Sequence, residues 1–376
     1  MKVCIVGGGH IGTTLACYIK HEDMTKNVCI YTRRPDRFAR QIKCNDIEEK
    51  KTYSVALDAI SNHPEIVKEA DIIFVALPHF AVEKAFQDIA PFVKENVYIG
   101  VIPGGGGCEF FFSKYFHENA TLFGFQRVPF TAKLVTYGEE TNLKSWKPFS
   151  VVGTLHRGRI DEACKIIEKC GLKTRKASNY LEIALTPTNP VLHTSRTYEI
   201  FGRTRKESEF DAKSKFYVGW TDEASKTLFA MDQELHNMLD TITELDTSAI
   251  RPLSEHYESL TVAAMTEKIN SIATFQSVYA PMKESEENPG KFVADIESRM
   301  FTEDYPWGLA IFKAYCDFCH VETPTMDKVL GWYADYMGLE WYLNGAFCGK
   351  DLCKTGIPQR YGVKNKEQLL AVYMEE

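Results

Sequence analysis

Gly7-Gly8-Gly9-His10-Ile11-Gly12 follows directly on an apolar run, Val3 to Val6, and leads into a helix-patterned one, Thr13 to Lys20. A short buried strand feeding a G-x-G-x-x-G turn and then a helix leaves little freedom in what the segment can form. Gly7 permits the tight turn, Gly9 lets a ligand approach the backbone, and Gly12 lets the helix pack on the strand. Unpaired N–H groups at the positive end of that helix suit a pyrophosphate. The expected ligand is a dinucleotide, with Gly7, Gly9, His10, Ile11 and Gly12 as contact residues.

The second apolar run, Val28 to Thr32, ends where an NAD-binding chain usually places an acid for the ribose 2′-hydroxyl. Here Thr32 is followed by Arg33 and Arg34. Guanidinium groups bind phosphate bidentately and stay charged, so Thr32, Arg33 and Arg34 favour a 2′-phosphate and hence NADP(H). Asp36, just past the turn, leaves NAD(H) as the alternative.

Ile72–Leu77, ending at Pro78, and Val97–Ile102, ending at Pro103, read as strands buried on both faces of a parallel sheet. Helical stretches at Phe80–Ala90 and Asp161–Lys169 separate such runs, giving a βαβ rhythm. Further short strands are expected at Ala120–Phe125, Lys133–Tyr137 and Phe149–Gly153. After about Asn179 the chain reads as helices punctuated by proline, with a polar loop at Lys283–Gly290. The expected fold is an α/β Rossmann-type domain over 1–180 followed by an all-α domain over 181–376. Ligands of open α/β sheets bind beyond the carboxyl ends of the strands, which brings Pro78 and the glycine loop Gly104–Gly107 near the cofactor.

With 376 residues, 44% hydrophobic and 25% charged, and a net charge of −7, the chain has the composition of a soluble globular protein. The charge argues against nucleic-acid or membrane partners, and no run approaches a membrane span. Eleven cysteines, many within apolar runs, fit reduced buried thiols and a cytoplasmic location. Cys316-Asp-Phe-Cys319-His320 has the spacing of a haem attachment motif but lies in a helical pattern, so packing is expected of both cysteines and no metal site is assigned. The aromatic run Trp332 to Tyr342 is likewise expected to pack between helices.

Two further segments carry chemistry. Thr186-Pro187-Thr188-Asn189-Pro190 reads as a helix entry, capped by Asn189, that places His193 one turn in. Arg299 to Leu309 brings together Arg299, Glu303, Asp304, Pro306 and Gly308. With the glycine fingerprint, the T-P-T-N-P-x-x-H run ending in His193 and the R-x-x-x-E-D-x-P-x-G-L run resemble the opine dehydrogenase family, of the octopine and nopaline dehydrogenase type, over nearly the whole chain. The resemblance implies reductive condensation of an amino acid with a 2-oxo acid through hydride transfer to an imine. It makes His193 and Asp304 the catalytic pair and Arg299 the anchor of a substrate carboxylate, with Asn189 beside it.

Those roles suit the residue types. Histidine titrates near neutrality and can protonate the nascent amine. A carboxylate fixes its tautomer, and both substrates carry carboxylates that a guanidinium would hold. Expected partners are small molecules, and a homodimer is admitted. A 2-oxo acid or hydroxy acid reductase without an amine partner, and a dinucleotide-binding sensor without turnover, are the alternative readings.

Overall fold

The run Lys2–Val6 forms the central strand of an eight-stranded sheet, buried from Val3 onward because parallel neighbours flank it on both sides. From one edge the order is Thr174–Lys176, Ser150–Thr154, Thr121–Phe125, Tyr98–Val101, Ile72–Val75, Lys2–Val6, Asn27–Tyr31 and Ala59–Ser61. Every neighbouring pair is parallel except Thr121–Phe125 with Ser150–Thr154. Chain order runs outward from Lys2–Val6 to one edge and then jumps to its other side at Ile72–Val75. That reversal is the switch point of a doubly wound fold.

This computed structural model describes residues 1–116, 120–186 and 189–374. They fall into two compact units, Met1–Ala184 with the stretch from Leu370 onward, and Leu185–Leu369. The terminal stretch is tied into the first unit by Tyr373, whose hydroxyl donates to Glu109 Oε1 at 2.8 Å.

The helix His10–Glu22 buries residues on nearly every side, Thr13 and Thr14 included. A second sheet explains why. Lys51–Val55, Ile42–Asp46, Glu140–Trp146 and Phe130–Thr136 form a four-stranded layer, in that order, and Thr14 Oγ1 meets Thr141 Oγ1 at 2.6 Å. Of these strands only the last was expected, as Lys133–Tyr137. The others are broken by polar residues, as in Ile42-Lys43-Cys44-Asn45-Asp46 and Glu140-Thr141-Asn142-Leu143, so they lack the continuous apolar run that marks a strand buried on both faces.

The second unit is built on the helices Asn189–Phe201, Asp222–Leu239, Val262–Ser271, Ala310–Phe318 and Pro324–Met337. Two short hairpins interrupt it, Met282–Glu284 with Phe292–Ala294 and Tyr342–Leu343 with Ala346–Phe347. The first turns the expected loop at Lys283–Gly290 into a strand and its turn. Tyr333 stacks on Tyr305 with ring centroids 4.2 Å apart, and Trp341 is fully buried. Cys316 and Cys319 are buried thiols. Among the described residues, no helix is long and apolar enough to cross a membrane, and no three His, Cys, Asp or Glu side chains converge as a metal site would require.

Candidate functional site

In the first unit the switch point opens a cavity of about 470 Å³, lined by Gly7, Gly8, Gly9, Thr32, Arg33, Arg34 and Pro78 among others. The three fingerprint glycines differ in what surrounds them. Gly7 sits at φ +117°, and a Cβ there would lie 2.5 Å from the Ala76 carbonyl oxygen. A Cβ on Gly12 would lie 1.9 Å from the Gly7 carbonyl oxygen, so the helix touches the turn at this point. At Gly9 a Cβ would meet nothing within 4 Å. Two glycines are therefore required by the chain's own packing, and the third faces open space. The helix that follows has no side-chain cap at its N-terminus, which suits an anion.

Thr32 is buried where an acid would be needed for a ribose diol, its Oγ1 3.0 Å from the Tyr137 hydroxyl. Arg33 and Arg34 are exposed on the cavity wall, and among the described residues no acid pairs with either guanidinium. Lys84 lines the same wall, paired with Asp88. These features fit a dinucleotide: space over Gly9, a turn that tolerates no larger residue, and unpaired positive charge beyond the second strand.

Other expected contacts behave differently. Nδ1 of His10 accepts from the Leu134 N–H at 3.0 Å, which ties the start of the helix to the second sheet. The loop Gly104–Gly107 does not stand open. A Cβ on Gly104 would meet Gly124 Cα at 2.6 Å, and one on Gly106 would meet the His79 ring at 2.4 Å. His79 Nε2 in turn lies 3.3 Å from the Pro103 carbonyl oxygen. These two glycines serve close packing of the chain on itself. Gln126, just beyond the strand Thr121–Phe125, donates to Glu182 at 3.1 Å. Tyr137, whose hydroxyl would stand 2.8 Å from a Cβ on Gly8, lines the cavity without any signal in the sequence.

In the second unit the two sequence motifs meet. His193 lies in the second turn of Asn189–Phe201, and its Nδ1 is 2.7 Å from Asp304 Oδ2. Both side chains are largely buried, at 12% and 13% exposure. Asp304 immediately precedes a π-helical turn, Tyr305–Leu309, whose Leu309 N–H reaches the Asp304 carbonyl at 2.8 Å. Such turns recur where a helix must aim a side chain off its regular register. Tyr305 then seats the turn on the histidine helix, its hydroxyl donating to the Thr194 carbonyl at 3.3 Å and lying 2.5 Å from Thr197 Oγ1. A carboxylate on Nδ1 selects the tautomer that leaves Nε2 for proton transfer.

Nε2 is itself engaged, 2.8 Å from the hydroxyl of Tyr217. Tyr217 is buried, and burial together with Tyr257 and Asp304 pushes its phenol far above the usual value. No motif in the sequence marks it.

Arg299 is exposed and bonds Glu303 through Nε, so the acid it engages is not Asp304. Desolvation works against its charge, but the hydrogen bond to Glu303 and the fields of Glu303 and Asp304 raise its pKa. Asn189 is exposed at the start of the helix, while Pro187 and Thr188, the rest of the expected entry, lie outside the described residues.

Residues 176–337 match the family profile described as NAD/NADP octopine/nopaline dehydrogenase, alpha-helical domain, and residues 3–137 match that of ketopantoate reductase PanE/ApbA. The chain is 26% identical to the opine dehydrogenase of Haliotis discus hannai, over 99% of each chain. It is 25% identical to the tauropine dehydrogenase of Arabella iricolor, over 97% of this chain and 99% of that one. In fold it is similar to octopine dehydrogenase solved with NADH and L-arginine, with a TM-score of 0.83, 21% identity and 98% of both chains covered. A yersinopine dehydrogenase solved with NADP+ bound gives a TM-score of 0.66 at 12% identity, covering 96% of this chain and 98% of that one. Carrying the alpha-helical domain of the octopine/nopaline dehydrogenases over residues 176–337, and similar along both units to dehydrogenases of one type, the chain is an NAD(P)H-dependent oxidoreductase.

Proposed function

We propose that this protein condenses an amino acid with a 2-oxo acid and reduces the resulting imine to a secondary amine dicarboxylate. The contact between His193 and Asp304 carries the reading: residues 111 positions apart in the chain place a carboxylate 2.7 Å from Nδ1. A merely structural histidine needs no such orienting partner. The relatives, named for opine, tauropine and octopine, support the reaction class.

A bound dinucleotide supplies the hydride. His193 is the acid of the site, the group whose net loss of a proton accompanies reduction, and Asp304 fixes its tautomer and stabilises its charged form. Arg299, free to reorient at the surface, would exchange Glu303 for a substrate carboxylate. The cofactor is NADP(H) in preference to NAD(H), supported by Thr32 in place of an acid and by the unpaired Arg33 and Arg34.

The test is oxidation of NADPH and NADH by the purified protein across amino acids crossed with 2-oxo acids, each also supplied alone. Turnover that requires both substrates is the expected result. Turnover with the oxo acid alone would replace this reading with a simple carbonyl reductase. His193→Ala should lower kcat by about 10²–10⁴-fold with little change in dinucleotide affinity.

A further inference from the structure

Both nitrogens of the catalytic imidazole are engaged within the second unit, Nδ1 by Asp304 at 2.7 Å and Nε2 by the Tyr217 hydroxyl at 2.8 Å. A proton donor whose outward nitrogen is already bonded must either shed that partner or pass its proton through it. Tyr217 is held against leaving. Its ring stacks on Phe275 with centroids 3.9 Å apart, and Phe216 packs on it edge-on at 4.8 Å. The backbone is held as well. Arg196, buried on the histidine's own helix, donates through Nε to the Phe216 carbonyl at 2.8 Å. The helix that carries His193 thus also fixes the segment that carries Tyr217.

We propose that Tyr217 is a catalytic residue, the terminal member of an Asp304–His193–Tyr217 relay whose hydroxyl, rather than the imidazole, delivers the proton to substrate. This rests on the imine-reduction reading above. As hydride reaches the imine carbon, the C=N π pair moves to nitrogen, which takes the proton of the Tyr217 hydroxyl. The phenolic oxygen takes the proton of His193 Nε2 in the same step, leaving a neutral imidazole still bonded to Asp304. The net uptake is one hydride and one proton. A phenol whose pKa is raised by burial stays protonated throughout, which is what a relay donor requires.

The test combines a proton inventory with one substitution. In mixtures of H2O and D2O, kcat of the wild-type enzyme should follow a curved dependence, because two protons move together. A linear dependence would overturn the relay without any variant being made. Tyr217→Phe should lower kcat about 100-fold, the scale of one acid–base contribution, with KM, dinucleotide affinity and melting temperature little changed. Its residual turnover should show a linear inventory. Wild-type kcat in Tyr217→Phe would mean that the tyrosine only packs. A wild-type enzyme that turns over no amine and oxo acid pair would sink the reaction reading itself and the catalytic relay with it. An active wild type with an active Tyr217→Phe would sink the relay alone.

Discussion

Pro190 occupies the space that a side chain on Gly308 would need: a Cβ there would lie 2.6 Å from the proline Cγ. The two residues belong to the two motifs that carry His193 and Asp304, so this contact sets how closely the segments approach. Gly308→Ala must push the π-helical turn away from the histidine helix. Overpacking of this kind costs on the order of 1–3 kcal/mol. The expected outcome is a lower melting temperature and a loss of kcat larger than any change in dinucleotide affinity, measured by thermal unfolding and steady-state kinetics. Unaltered kcat would show that the contact does not position the pair.

The fingerprint glycines should separate stability from binding. Gly9→Ala adds a methyl group to open space, so unfolding should shift by no more than about 0.5 kcal/mol while dinucleotide affinity falls. Gly12→Ala drives a Cβ to within 1.9 Å of the Gly7 carbonyl oxygen and should destabilise the fold by on the order of 1–3 kcal/mol. Denaturant unfolding and titration of bound NADPH on both variants check this. Equal effects on binding and stability in both would contradict the division of labour.

The cofactor proposal turns on Arg33. Arg33→Asp removes a charge-assisted contact, worth about 1.5–3 kcal/mol, and adds a repulsion. NADPH binding should weaken by at least about 10–100-fold and NADH binding by only a few-fold. Equal weakening of the two would exclude 2′-phosphate recognition by this residue.

Asp232 gives a prediction for pH. It is buried, and desolvation raises its pKa to about 7 despite a hydrogen bond from the Leu253 N–H. His236 Nε2 lies 3.9 Å from its Oδ1, too far for a hydrogen bond, and burial lowers the histidine pKa, which works against a compensating positive charge. The unfolded carboxyl titrates near 3.9, so between that value and about 7 the native state binds the extra proton. The stability contributed by this group is complete below about pH 4 and is lost as pH rises through about 7. Asp232→Asn should remove that loss. It should be more stable than wild type by on the order of 4 kcal/mol at pH 8 and nearly equal to it near pH 4. Urea unfolding at both pH values checks the sign, and an advantage at low pH would refute it.

The parallel core was legible because strands buried on both faces are continuously apolar, and the glycine turn because its geometry tolerates few substitutes. The strands Ile42–Asp46 and Glu140–Trp146 were not, since a half-exposed strand in polar sequence resembles a loop until its partner is known. His193 and Asp304 could be paired in advance only through the family resemblance; their separation in sequence hides a contact that the π-helical turn creates. Tyr217 was illegible for a plainer reason. A buried tyrosine among aromatics looks like core, and only its hydroxyl's neighbour tells otherwise.

The stretch from Leu370 onward belongs to the same unit as residues 1–184, so the polypeptide leaves that unit once and comes back to it. In covalent terms the Leu185–Leu369 unit is an insertion rather than an appendage. A chimera that exchanges this unit between relatives therefore needs two splice points, one near each of these residues. A single crossover would leave the host's nucleotide-binding unit closed by a foreign terminal segment, with the hydrogen bond between Tyr373 and Glu109 assembled from two different proteins.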